Sequence, residues 1–581
     1  MVDLKQKPFY LSDEDIRWVE ETIASMTDEE KIGHSLQRLQ QRKKDFDETK
    51  EIFDRFHIGG CRYSNEPAEK IYEQNRFYQE HSKIPVLIAC NCDNGGDGAC
   101  GGGTYVATAA ACGATDDDST AYSVGYVSGR EAAAVGCNWD FGPVCDLLYN
   151  WRNTIVNTRA YGKDPELVIK NAKAYVRGVR ESGLAVCCKH FPGDGIEELD
   201  QHLVMGVNTM ECDEWDSTFG HVYKEMIDSG IQSIMAGHIA LPEYSRKLRP
   251  GIKDEDIMPA TLAPELITDL LRGKLGFNGL VLTDASHMAG MTAAMPRSQQ
   301  VPGAIAAGCD MFLFFNDIEE DFGYMMDGYR NGIITEERLT DALRRILGLK
   351  ASLKLHEKKK KGTLIPEKEG LSVVGCAEHL AMAAEAAKKS ITLVKDTQHN
   401  LPVTPKTHKR AYAFVISSPP ISRKNQHDPV KQLVKEEMER FGYETTMHES
   451  YYDLVLDDGI TKETELRSVI IGKVEEFKKK YDVVFVFINM KGYAQANNVR
   501  LEWSIGHSTE IPWYVKELPT IFISLNYTNH LLDVPMAKTF INAYAPTREV
   551  IRQTIEKAAG EAAFEGTCND NVFCGRWDTR L

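Results

Sequence analysis

Five short apolar runs along this chain end in residues able to hold, attack or protonate a substrate. Ile84–Cys90 runs into Asn91-Cys92-Asp93-Asn94-Gly95-Gly96, and Asn138–Val144 leads to Asp146. Leu184–Cys188 ends at Lys189-His190-Phe191-Pro192-Gly193-Asp194-Gly195, Ile234–Gly237 at His238, and Gly279–Thr283 at Asp284. Singly, each has an ordinary explanation: an acid after a strand often caps the next helix, and one histidine is more often structural than catalytic. Together they deliver acids, amides, imidazoles and an ammonium to one set of strand ends. Such a rim, with no Gly-rich phosphate loop and no metal-ligand cluster, suits a neutral polyhydroxylated molecule such as a sugar. The matching chemistry is glycosyl transfer, and no metal or other cofactor is expected. Retaining hydrolysis needs a carboxylate that attacks C1 and a second group, roughly 5 Å away, that protonates the departing oxygen. Asp284 is the predicted nucleophile.

The elements that must position these residues alternate between short apolar runs and longer helical patterns up to about Leu353. The runs are His57–Arg62, Ile84–Asn91, Gly136–Asp146, Leu184–His190, Ile231–His238, Phe277–Asp284 and Gly308–Asn316, with a weaker first strand near Lys31–Leu39. Strands buried on both faces and separated by helices imply a parallel sheet. Eight such units predict an α/β fold, a TIM-type (β/α)8 barrel, in which catalytic groups gather at the carboxyl ends of the strands. An open doubly wound sheet is the competing topology. The sequence Ser12-Asp13-Glu14-Asp15 marks the start of a helix to about Met26.

The expected domains are a catalytic barrel at 1–353, a connector at 354–376 containing Lys358 to Lys361, Gly362 and Pro366, and a smaller α/β sandwich at 377–581. In the last, a helix at Glu378–Lys389 precedes strands at Arg410–Ile416, Asp482–Ile488, Thr520–Leu525 and Lys538–Ala543.

Lys plus Arg total 68 against 85 for Asp plus Glu, a formal charge of −17 that repels phosphate backbones and anionic headgroups. Neither nucleic acid nor a membrane is an expected partner. Met1–His34 lacks a signal-peptide pattern, and the fourteen cysteines fall largely in apolar runs with no Cys-x-x-Cys pair. A cytoplasmic protein with reduced thiols is the reading. Cys568 and Cys574 make at most a surface pair, and free thiols are favoured.

Lys189-His190-Phe191-Pro192-Gly193-Asp194-Gly195, Asp200-Gln201-His202, Thr158-Arg159-Ala160-Tyr161-Gly162 and Thr283-Asp284 resemble the ordered signature of glycoside hydrolase family 3. Met26–Gly33 and Ala383–Lys395 extend the resemblance over nearly the whole chain. Within that family the sequence is most similar to the β-N-acetylglucosaminidase branch, which carries an Asp-x-His pair on a mobile loop after the Lys-His-Phe-Pro-Gly motif. Asp200 and His202 fill that pattern. Physical chemistry supports the pairing independently: free imidazole has a pKa near 6.5, and an adjacent carboxylate favours its protonated form. His202 is therefore the expected acid/base and Asp200 its orienting partner; the plain alternative is an ordinary polar loop.

The resemblance further implies that Arg159, Lys189, His190 and an acid after Ile84–Cys90 bind sugar hydroxyls. For Arg159 and Lys189 the alternative is structural ion pairing with Asp93, Asp146 or Asp164. Two positions depart from the branch. Cys92-Asp93-Asn94-Gly95-Gly96 stands where Asp-x-Glu-Gly-Gly is usual, leaving Asp93 as the favoured binding acid, and Asp194 stands where the branch has His. His238 and His287 lie near the expected mouth, with His238 the candidate substrate contact. Asn497-Asn498-Val499-Arg500 either borders the site or forms a surface loop.

The resulting expectation is a retaining exo-β-glycosidase that releases terminal β-linked N-acetylglucosamine. Its rivals are a phosphorylase of the same glycosides, a β-glucosidase or β-xylosidase of the same family, and a non-catalytic sugar-binding protein.

Overall fold

The computed structural model describes residues 2–40, 46–417, 429–448, 473–490, 499–501 and 511–581. The chain divides into two compact units, one of Met1–Ala109 with Asp118–Met382 and one of Ala110–Asp117 with Ala383–Leu581.

The main sheet of the first unit has eight parallel strands in succession: β1 (Leu36–Gln40), β2 (Gly60–Tyr63), β3 (Leu87–Cys90), β4 (Trp139–Asp140), β5 (Ala185–Phe191), β6 (Ser233–Ala236), β7 (Leu280–Thr283) and β8 (Phe312–Leu313). Pairing of Leu36 with Phe312 joins β8 to β1, and a parallel bridge from Leu282 to Met311 joins β7 to the residue before β8. The sheet thus returns on itself, which excludes the open doubly wound alternative. Every residue of β3, β5, β6 and β7 is buried, as expected of strands covered on both faces.

Apart from β5, which keeps the expected length, the strands begin later and run shorter than hydropathy suggests. The apolar run at Gly136–Asp146 yields only two strand residues, because beyond Asp140 the chain continues beside β5 as an extended loop, held by Cys187 N–H to Gly142 O, Cys145 N–H to Lys189 O and the isolated bridge Val144–Lys189. Lys31, expected near the first strand, instead lies in a helix, Asp28–His34, which Thr27 caps. The first helix runs Asp13–Ser25, with Ser12 and Asp15 satisfying each other's backbone donors.

The segment 354–376 is more ordered than a solvated connector. It contains a helix, Leu355–Lys361, whose Leu355 and His356 are buried, and a 3-10 turn at Lys368–Val373. One apolar residue with an imidazole beside it anchors this helix, and Lys359 Nζ donates to Ser82 O.

The second unit holds a six-stranded sheet: β9 (Thr392–Asp396), β10 (Arg410–Ser417), β11 (Glu444–Met447), β12 (Val483–Asn489), β13 (Thr520–Ser524) and β14 (Thr539–Asn542) in the order β9-β14-β13-β12-β10-β11. Only β9 runs antiparallel to its neighbour. A helix at Ala377–Ser390 precedes β9. Asn497 and Asn498 lie outside the described residues, and Arg500 pairs with Asp533. All fourteen cysteines are free thiols, Cys568 and Cys574 included.

Candidate active site

The carboxyl end of β5 carries Lys189 and His190 within the strand itself, both buried. Lys189 Nζ reaches Asp93 Oδ1 at 2.9 Å, and Arg159 Nε reaches Asp93 Oδ2 at 3.1 Å. Burial alone would raise the Asp93 pKa, but these two cations hold it well below the carboxylate range. Of the partners weighed for Arg159 and Lys189, Asp93 is the one that meets both. Asp164 instead caps the helix Pro165–Arg180.

Asp146 serves β5 from the neighbouring extended loop. Its Oδ2 lies 2.7 Å from His190 Nδ1, and its Oδ1 accepts the backbone N–H groups of His190 and Asp194. Because the carboxylate accepts a hydrogen bond from Nδ1–H, the His190 ring angle is set and Nδ1 carries a proton. Asp194 is buried, its Oδ1 accepting from Asn153 Nδ2 at 2.8 Å and from the Gly195 N–H at 2.6 Å. Burial first, and the Asp146 charge second, push its pKa up to about 8. The acid standing where the related branch has histidine is therefore held toward its neutral form.

The loop after β5 then places Asp200 and His202. Asp200 has no exposed side-chain surface, while His202 is 24% exposed, and Oδ1 of the acid lies 2.7 Å from Nδ1 of the imidazole. That contact leaves Nε2 as the nitrogen available to a reacting group. Backbone bonds tie this loop to the one after β7: Ala289 N donates to His202 O and Gly290 N to Gln201 O.

Asp284 follows β7, its N–H bonded to Ala236 O at the end of β6 and its Oδ1 accepting from Ala285 N at 2.7 Å. Burial would raise its pKa, but the imidazoles of His190, His238 and His202 around it bring it below the usual carboxylate value. Asp284 is thereby favoured as an anion in a partly enclosed place.

His238 is fully buried, with Nε2 3.0 Å from Ala285 O and Nδ1 3.0 Å from Thr261 Oγ1. A carbonyl only accepts, so Nε2 carries a proton; burial lowers the His238 pKa, against the nearby Asp284 charge that raises it. Through these two bonds His238 braces the backbone beside Asp284. His287 is exposed at the same loop. Among the described residues, Asp93, Arg159, Lys189, His190, Asp200, His202 and Asp284 form one electrostatically linked group.

The sequence did not single out Asp146 as a positioning acid or Asn153 as its neighbour's donor. An acid placed just past a strand end was the available signal for Asp146, but nothing in the spacing marked His190 as its partner.

Residues 27–349 match the family model described as the Glycosyl hydrolase family 3 N terminal domain. The chain belongs to glycosyl hydrolase family 3. A "Beta-N-acetylglucosaminidase/beta-glucosidase" of Cellulomonas fimi is 39% identical over 583 residues, 100% of each chain. A "Beta-hexosaminidase" of Chromobacterium violaceum is 34% identical over 200 residues, covering 34% of this chain and 53% of that one. Among solved structures, "Beta-glucoside phosphorylase BglX" superposes with a TM-score of 0.90 at 37% identity, covering 99% of both chains. A family 3 β-N-acetylglucosaminidase from Paenibacillus sp. str. FPU-7 shares the fold at TM-score 0.75 and 23% identity, covering 94% of this chain and 98% of that one. As a family 3 chain this protein is a glycoside-cleaving enzyme, and no described helix is long and apolar enough to cross a membrane.

Proposed function

We propose that the enzyme is a retaining exo-β-glycosidase acting on terminal β-linked N-acetylglucosamine, with Asp284 as nucleophile and His202, oriented by Asp200, as acid/base. The observation that carries this reading is the convergence of His202 on Asp284, through loops bonded to each other and charges that act on one another.

In the first step a carboxylate oxygen of Asp284 bonds to C1 while the C1–O bond to the leaving group breaks, and His202 Nε2 gives its proton to that oxygen. In the second, His202 takes a proton from water, whose oxygen displaces Asp284 from C1 and restores the β configuration. Arg159, Lys189 and His190 are the donors proposed to hold the sugar hydroxyls, with Asp93 their acceptor counterpart.

A second reading, phosphorolysis, draws support from the likeness to the β-glucoside phosphorylase. An imidazole acid/base removes one negative charge that would repel incoming phosphate, so phosphate takes the place of water in the second step. The name of the Cellulomonas fimi relative adds β-glucosides to the candidate substrates.

We assign the barrel to 1–353, the connector to 354–376 and the sandwich to 377–581, and place the enzyme in the cytoplasm on its fourteen free thiols. A panel of aryl β-glycosides with and without the 2-acetamido group, run with and without phosphate on the wild type and Asp284→Asn, tests the function. Free N-acetylglucosamine as the product supports hydrolysis, a sugar 1-phosphate supports phosphorolysis, and full activity of Asp284→Asn refutes both.

A further inference from the structure

At the corner of the barrel mouth formed by β2 and β3 stands a guanidinium for which the described residues provide no partner. Arg62 lies in the last turn of pleat of β2. Two residues earlier, an added Cβ on Gly60 would meet the side chains of Met311 at 3.2 Å and Gln37 at 3.4 Å, so that position faces the barrel interior. Side chains alternate along a strand, which puts Arg62 on the same inner face, one step nearer the mouth. It pairs in register with Ala89, four residues before Asp93.

Among the described residues Arg62 makes no ion pair and no hydrogen bond. Its Nε is enclosed without a partner, although the side chain as a whole keeps some exposure. Asp93 is near enough for its charge to act on Arg62, yet its two oxygens already receive Lys189 and Arg159. Beside it, on β3's continuation, Asn91 Oδ1 is also enclosed without a partner. A donor and an acceptor are thus left open on adjacent strands, at the acid that anchors the sugar-holding cations.

In an eight-stranded barrel β2 and β3 stand across from β6 and β7. A pyranose placed with C1 over Asp284, after β7, and lying across the barrel axis would present its far end, C4 and the hydroxymethyl on C5, to the β2–β3 corner. We propose that Arg62 is a sugar-binding residue that reads this end, donating to the C4 or C6 hydroxyl alongside Asp93. A hydroxyl is the chemistry that fits. It accepts from a guanidinium and donates to an acceptor, whereas a sulfate, phosphate or carboxylate only accepts. The mouth also has no excess of cations, since Lys189, Arg159 and Arg62 face Asp93, Asp146, Asp200 and Asp284.

The proposal rests on the placement of C1 at Asp284, which trapping with a 2-fluoro sugar tests separately. The experiment compares 4-nitrophenyl β-N-acetylglucosaminide with its 4-deoxy and 6-deoxy analogues on the wild type, Arg62→Ala and Arg62→Lys. A site that hydrogen-bonds a hydroxyl discriminates against the analogue lacking it. Wild-type kcat/KM is expected to fall roughly 10- to 100-fold on one of the two analogues. Arg62→Ala should lose a similar factor on the parent substrate and show little further loss on that same analogue. Equal losses of the variant on all three substrates, or discrimination unchanged in the variants, overturn the proposal. So does a wild-type preference for the β-glucuronide, which would make the ligand an anion. Should Arg62→Ala fail to fold by circular dichroism, Arg62→Lys decides, because it keeps the charge but not the planar fork. Failure of 2-fluoro labelling in the wild type would count against the proposed function; normal labelling with unchanged discrimination counts against Arg62 alone.

Discussion

His202 is fastened to Asp200 through a single carboxylate oxygen: Oδ1 accepts from the ring Nδ1 at 2.7 Å and from the backbone N–H of His202 at 2.8 Å. One acid therefore fixes both the ring and the chain that carries it. With Asp200 itself enclosed, the imidazole is aimed by a rigid partner while its Nε2 edge stays accessible. This is how an orienting acid serves a hydrolase imidazole, without being protonated itself.

Replacing His202 by Phe removes the proton donor but keeps a planar ring. Turnover of alkyl glycosides should fall by roughly 10²- to 10⁴-fold, with a smaller loss on activated aryl glycosides, whose leaving groups need no proton. Steady-state rates across a leaving-group series give the comparison. Losses of equal size on activated and unactivated substrates would remove His202 from the acid/base role.

Burial, and then the Asp146 charge, push the Asp194 carboxyl up to about 8 in the folded protein, against about 3.9 for a free aspartate. Between those values the native state holds a proton that the unfolded chain has released, so this group makes stability fall as pH rises through the interval. Asp194→Asn keeps the oxygen that accepts from Asn153 and Gly195 and cannot ionise. Its Tm relative to wild type should rise from pH 5 to pH 8. A difference that stays constant over that range would show that Asp194 is not held neutral.

Gly193 combines φ of +118° with a site in which an added Cβ would come within 2.1 Å of the Phe219 ring. Ala there is excluded twice, by backbone conformation and by space. Gly193→Ala should lower stability by about 2 kcal/mol or more and reduce activity further, because the turn sets Asp194 and the loop bearing His202. Urea unfolding together with kcat/KM measures both effects, and a variant with native stability would contradict the close packing.

Much of this site was readable from strand ends. An apolar run stopping at a polar residue identified Asp93, Lys189, His190, His238 and Asp284, since a parallel barrel brings all such ends together. What the runs did not disclose was who meets whom. The choice of Asp93 over Asp146 and Asp164 as partner of Arg159 depends on the path of the loop between Asp140 and Pro165. His238 was legible as a mouth residue, but its burial depends on Thr261 and Ala285, which come from two separate loops. Arg62 was passed over because β2 reads as a short run whose inner face becomes evident only from its register with β1 and β3. The strand lengths were overstated for a related reason: hydropathy records burial, and the loop at 141–146 is buried while pairing with β5 only through the single bridge Val144–Lys189 and a few backbone bonds.

Covalent trapping tests the role of Asp284 most directly. Incubation with a 2-deoxy-2-fluoro β-glycosyl fluoride slows breakdown of the glycosyl–enzyme more than its formation, and intact-protein mass spectrometry followed by peptide mapping locates the sugar. A single added sugar on the peptide containing Asp284, absent from Asp284→Asn, is the expected result. A sugar on another residue, or an active enzyme that never acquires one, would contradict a glycosyl–Asp284 intermediate.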